Sequence, residues 1–138
     1  MFSKRNRQPY KTARAVLVYD DLICLAIHSS FWAKKEKRWG LPGGGIERGE
    51  QPYEAVRREL EEELELYHDQ YSEIGAFTYK GAQHMVYGAH LSHRIDTYDD
   101  SELIDLKWYT LGQVKDLDAQ RKLHAGYELE AISSFLGS

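Results

Sequence analysis

Sulfur is scarce in this sequence, and Cys24 is its only cysteine in 138 residues. An intrachain disulfide is therefore excluded, and so is a thiolate metal cluster. Cys24 lies inside the apolar run LICLAIH, which predicts a buried, inert thiol and fits a reducing cytoplasm. Long apolar runs are also missing. No segment approaches the roughly 20 residues that cross a bilayer, and the first residues lack the apolar core of a signal peptide. Repeats, low-complexity tracts and internal boundaries are absent, so the length predicts one domain over residues 1–138. Excess positive charge is lacking as well. A net charge of −4 argues against a protein that coats nucleic acid.

What is present has the composition of a soluble globular domain, with 42% apolar and 29% charged residues. The basic residues are concentrated early: Lys4, Arg5, Arg7, Lys11 and Arg14 fall in a stretch without an acid. Residues 1–11 read as a basic, mobile arm, a solvated tail unless it contacts phosphates. ARAVLVYD and LICLAIH are β-type runs joined by Asp20-Asp21, which predicts a hairpin. SSFWAKKEKR is a polar loop, and the glycine-rich WGLPGGGIERGEQ is expected to be irregular or turn-forming. Pro52 suits the first turn of a helix running to about Glu65.

EIGAFTYK and HMVYGAHLSH predict two further strands with GAQ at their turn. IDTYDDSE is an acidic loop, and LIDLKWYTL returns to strand character. Leu123, Tyr127, Ala131 and Phe135 recur at steps of four, which predicts one amphipathic helix from about Ala119 to Leu136. The order implies an α+β fold, an α/β/α sandwich in which two helices flank a mixed β-sheet.

The segment RRELEEELEL carries the strongest chemical signal. On a helix of 3.6 residues per turn, Glu62 lies about 60° to one side of Glu59 and Glu63 about 40° to the other. Those three carboxylates share a face, beside an apolar stripe of Tyr53, Val56, Leu60 and Leu64. Glu61 points away, towards solvent. Like charges at i, i+4 destabilise a helix, and carboxylates in the last turns oppose its macrodipole. Arg57 and Arg58 are too few to balance them. A divalent cation reverses these costs, and oxygen-only ligands select Mg²⁺, with Mn²⁺ as a substitute. The preceding Gly43, Gly44 and Gly45 permit close approach of a ligand to the backbone. They do not form a P-loop, which needs a lysine and a hydroxyl residue.

Joined by this spacing, the two elements resemble the Nudix hydrolase signature G-x5-E-x7-R-E-U-x-E-E-x-G-U, where U is aliphatic. Gly44, Glu50, Arg58-Glu59-Leu60, Glu62-Glu63 and Leu66 fill its positions across residues 44–66, and WGLPGG resembles the usual approach to the box. One position departs: Glu65 stands where the family has glycine. A non-glycine residue costs about 1 kcal/mol in the left-handed conformation that ends such a helix.

The resemblance implies cleavage of a phosphoanhydride in a nucleoside diphosphate linked to another group. It implies Mg²⁺ held by Glu59, Glu62 and Glu63 with a carbonyl of Gly43 or Gly44. Glu50 and Arg58 would brace the loop against the helix. Glu102 is the expected general base from a later loop, with Asp99 and Asp100 as neighbours and Glu59 as the alternative within the box. Substrate contacts are expected from His28, Phe31, Trp32, Lys34, Tyr79 and Tyr87, with Lys35, Lys37 and Arg38 adding positive charge. His84, His90, His93 and His124 show no metal-ligand spacing.

The compact chain is similar to the small MutT-like nucleoside triphosphate pyrophosphohydrolases. ADP-ribose, dinucleoside polyphosphates and nucleotide sugars are the other substrate classes. A non-catalytic nucleotide sensor and a hydrolase of capped RNA 5′ ends are the competing functions, and monomer and homodimer are both compatible with the chain.

Overall fold

The computed structural model describes residues 9–29 and 37–137. Strand β1 (Tyr10–Tyr19) turns at Asp20-Asp21 into β2 (Leu22–His28), and Asp20 takes the left-handed φ of 53° that so tight a reversal requires. A short strand, β3 (Gly43–Gly45), precedes helix α1 (Pro52–Leu64). Strands β4 (Ser72–Tyr79) and β5 (Ala82–His90) form a second hairpin. Then come β6 (Leu103–Thr110) and the helices α2 (Leu111–Ala119) and α3 (Glu128–Leu136).

The six strands form one mixed sheet in the order β4-β5-β1-β2-β6, with β3 alongside β1. β1 runs parallel to β5 and antiparallel to β2 and β3. Its alternation divides the core in two. Ala13, Ala15 and Leu17 pack with Ala55, Val56, Leu60 and Leu64 of α1. Val16 and Val18 face the opposite side with Val114 of α2 and Ala131 and Ile132 of α3. Central strands covered on both faces read as continuous apolar runs, which is why LICLAIH shows no clean alternation. The expected sandwich is present, with three helices rather than two among the described residues.

Three local expectations need correction. The glycine run is not irregular, because Gly43 to Gly45 pair in register with Arg14, Ala13 and Thr12. Lys11 and Arg14 belong to β1, so the strand begins inside the stretch expected to be a mobile arm; Lys4, Arg5 and Arg7 lie outside the described residues.

The C-terminal segment is two helices. Thr110 caps α2 by a reciprocal box, its Oγ1 accepting from Gln113 N–H at 3.2 Å while Gln113 Oε1 accepts from Thr110 N–H at 2.9 Å. The chain then leaves helical geometry at Arg121 (φ 58°) and Gly126 (φ 97°). Leu123 and Tyr127 are buried, but on the connecting loop, where Leu123 forms a β-bridge with Trp39.

Candidate functional site

The three consecutive glycines have three different local environments. The Gly43 N–H donates to Glu63 Oε1 at 3.1 Å, and its φ of 127° places the missing Cβ against the Ala13 carbonyl and Arg14 Cα of β1. A Cβ on Gly44 would come within 2.5 Å of Glu59 Oε2. A Cβ on Gly45 meets nothing within 4 Å. Only the first two are therefore held to glycine by contact with neighbours.

Opposite this loop, Glu59 and Glu63 of α1 meet Glu102, one oxygen of each lying within 4.8 Å of the others. The loop carrying Glu102 is tied to both sides of the site. Its Asp99 N–H donates to the Glu63 carbonyl at 2.8 Å, and the Glu102 carbonyl accepts from Ser29 N–H at 2.9 Å. The exposed Asp99 carboxylate folds back on its own loop, accepting from Ser101 N–H at 2.9 Å and Ser101 Oγ at 2.7 Å. Those bonds hold Asp99 below the usual carboxylate range. Asp99 thus shapes the loop, and neither it nor Asp100 joins the cluster.

Glu63 is 2% exposed. Burial, together with the charges of Glu59 and Glu102, pushes its pKa up to about 8, against the pull of the Gly43 N–H and Arg14. Burial likewise raises Glu59, opposed by Arg58. Carboxylates so crowded and desolvated favour the neutral form unless a positive charge arrives. An all-oxygen donor set of this kind fits a hard divalent cation.

Glu62 has a different setting. It is exposed and sits 3.2 Å from Arg58 Nη1, outside the three-carboxylate cluster. Arg58 grips Glu50 through two bonds, Nε to Oε2 at 2.7 Å and Nη2 to Oε1 at 2.9 Å. Its Nη2 also donates to the Gly45 carbonyl at 3.0 Å, and Nη1 to Glu59 Oε1 at 3.0 Å. One guanidinium thus joins helix, glycine strand and loop. The Arg58 contact holds Glu50 below its ordinary pKa.

His28 lies behind Glu63. Its Nε2–H donates to the Leu41 carbonyl at 3.0 Å, which leaves the Nδ1 lone pair 3.7 Å from Glu63 Oε2. Burial, then the Arg14 charge, lowers its pKa to about 3, so the ring is neutral. Arg14 donates to the carbonyls of Leu41 at 3.1 Å and Gly43 at 3.2 Å. Its part was hidden in the sequence, where it looked like one more charge in a basic stretch.

Among the residues expected to touch substrate, Tyr87 is 5% exposed and packs edge-on against Tyr53 on the α1 side of the sheet. Tyr79 is half-buried at the end of β4 and lines a separate cleft with Arg38. Phe31, Trp32, Lys34 and Lys35 lie outside the described residues.

The NUDIX domain model matches residues 9–128. A MutT NUDIX hydrolase from Burkholderia pseudomallei is 28% identical, with a TM-score of 0.64 over 77% of this chain and 86% of that one. A NUDIX-family hydrolase from Clostridium perfringens is 21% identical, with a TM-score of 0.73 over 95% and 98%. The NUDIX domain of Shewanella oneidensis NrtR, solved with ADP ribose, is 21% identical, with a TM-score of 0.72 over 97% and 90%. The family match spans the glycine strand, the carboxylate helix and the loop of Glu102, and the chain belongs to the Nudix hydrolase family.

Proposed function

We propose that this protein is a Mg²⁺-dependent pyrophosphohydrolase that cleaves a phosphoanhydride in a nucleoside diphosphate linked to another group. The convergence of Glu59, Glu63 and Glu102 beside Gly44 is the observation that carries this reading. Mn²⁺ serves as a substitute metal. Nudix hydrolases generally use divalent metals on small nucleotide-linked substrates, and a carboxylate-only site matches that chemistry. A bound cation would neutralise the diphosphate and acidify a coordinated water.

The roles of the residues follow from their surroundings. Glu59 and Glu63 hold the cation, with a carbonyl of the Gly43-Gly44 strand as a further ligand. The Gly43 carbonyl already accepts from Arg14, which favours Gly44 for that contact. Glu102 is exposed while Glu63 is buried, so Glu102 is the carboxylate best placed to take a proton from an attacking water. Glu62 lies beside the cluster and belongs to the outer edge of the same site. Arg58 and Glu50 position Glu59 and the glycine strand.

A nucleoside triphosphate, as in the MutT-like enzymes, is the first substrate to test. ADP-ribose follows, since a structural relative was solved with it. The chain is assigned to the cytoplasm, with buried Cys24 in keeping with a reducing compartment.

The test is product analysis over nucleoside triphosphates, ADP-ribose, dinucleoside polyphosphates and nucleotide sugars, with and without Mg²⁺. Cleavage of at least one compound only with metal is the expected result. Binding of nucleotides without turnover of any of them would show a sensing module instead.

A further inference from the structure

A second cleft, of about 370 Å³, opens between the tip of the β4–β5 hairpin and the α2–α3 connection. Arg38, Lys80 and Arg121 line it with Tyr79 and His124, and Asp118 is the one carboxylate among the described residues of its lining. Such an excess of positive charge stands out in a chain whose net charge is −4. Among the described residues, neither Lys80 nor Arg121 has a carboxylate within ion-pair distance. The Lys80 ammonium lies 5.5 Å from the centre of the Tyr79 ring, which in turn lies 5.1 Å from the His124 ring. Cations and aromatic surface therefore share one concavity.

The backbone supplies an independent observation. Lys80 and Gly81 form the two-residue hairpin turn with φ of 50° and 75°, a turn whose first position favours Asn, Asp or Gly. Arg121 has φ 58° just beyond α2. The return bonds from Arg121 N–H to the Asp118 carbonyl and from Lys122 N–H to that of Leu117 make this the position where helices favour glycine. Both long cations thus occupy sites that disfavour them conformationally. Two such choices flanking one cleft point to a use for the charge.

The cleft is linked to the carboxylate site by one segment. Trp39 N–H donates to the Lys122 carbonyl, the Trp39 carbonyl accepts from His124 N–H, and Gly40 pairs with Ala26. Five residues on from Arg38, Gly43 donates to Glu63. The Cα atoms of Arg38, on the wall of the cleft, and of Gly43, on the carboxylate site, are therefore at most about 18 Å apart. We infer that the cleft between Lys80 and Arg121 binds a second phosphate group of the substrate, carried on the nucleoside beyond the diphosphate that is cleaved. The preferred substrate then bears a phosphate monoester or diester in addition to its anhydride.

This inference extends the pyrophosphohydrolase reading, but its primary test does not depend on turnover. Calorimetry without metal compares AMP with adenosine 3′,5′-bisphosphate, with inorganic phosphate as the control for a free anion. The intact protein is expected to bind the bisphosphate at least about tenfold more tightly than AMP. Lys80→Asn and Arg121→Gly each suit the local backbone, so both variants should fold at least as well as the parent. They should nevertheless shrink that preference to about threefold or less.

Equal binding of AMP and the bisphosphate by the intact protein would overturn the inference. So would a preference that survives in both variants, or inorganic phosphate matching the bisphosphate. A kinetic arm compares ATP with its 3′-phosphorylated derivative. If neither is hydrolysed while the binding preference holds, the hydrolase reading fails and the phosphate cleft stands.

Discussion

Gly44 and Gly45 are adjacent, yet they should respond differently to one added methyl group. At Gly44 that atom would displace the Glu59 carboxylate, and at Gly45 it would enter open space. Gly44→Ala is expected to lower kcat/KM at least about tenfold, a loss of about 1.4 kcal/mol in transition-state stabilisation, with only a modest shift in melting temperature. Gly45→Ala should retain activity within about twofold, a change of under 1 kcal/mol. Parallel kinetics and thermal melts would check both, and equal losses would show that Glu59 is not held against the glycine strand.

The buried pair of Glu63 and His28 sets a pH dependence at the same scale. The folded pKa of Glu63 is raised from 4.5 to about 8, so its contribution to stability is complete below pH 4.5 and is lost as pH rises towards 8. That of His28 is lowered from 6.5 to about 3, so its contribution is complete above pH 6.5 and is lost as pH falls towards 3. Between pH 4.5 and 6.5 the two oppose each other, and above 6.5 the Glu63 loss is no longer offset by His28. Metal-free protein should therefore lose thermal stability from pH 6.5 to 8. Glu63→Gln should flatten that slope, and melts at a series of pH values without metal would check it.

At the scale of elements, α1 was legible because its signals agree. Pro52 opens it, Glu54 accepts from the Gln51 N–H at 2.9 Å, and its apolar stripe faces β1. Its end is where sequence and geometry conflict. Glu65 takes φ 52° and ψ 35°, the left-handed conformation that glycine favours, and Leu66 N–H returns to the Leu60 carbonyl at 3.2 Å. The missing glycine thus leaves the helix exit in place. Glu65→Gly should raise stability by about 1 kcal/mol, or about 3–5 °C in melting temperature, and leave kcat unchanged. A lower melting temperature would show that the Glu65 side chain makes a compensating contact.

The two C-terminal helices were not legible from the spacing used. Steps of four from Leu123 to Phe135 imitate one helix, because buried loop residues on the α3 side of the sheet happen to continue its register. The discriminating marks were local. Thr110 and Gln113 form a capping box just after β6, and Gly126 lies within the proposed helix.

At the scale of the whole molecule, the two-sided core explains what sequence patterns could reveal. β1 and β2 are buried on both faces, so their apolar runs identified strands but gave no sheet order. The parallel pairing of β1 with β5 joins residues about seventy positions apart, as in Ala13 with Met85. That pairing sets the middle of the sheet and was invisible to local pattern. The site shows the same division. The box exposed Glu59, Glu62 and Glu63 through helical spacing and the family resemblance suggested Glu102, whereas only the folded chain separates Glu62 from the other two and sets Glu102 beside them.

Central to the mechanism is that Glu59 and Glu63 act together as one divalent-cation site, with Glu102 beside them as the base. Titration with Mn²⁺ followed by electron paramagnetic resonance tests this directly, on the parent and on Glu59→Gln and Glu63→Gln. Saturable binding by the parent and an affinity at least about tenfold weaker in both variants is the predicted result, about 1.4 kcal/mol for each lost carboxylate. Unchanged Mn²⁺ affinity in both variants would contradict it.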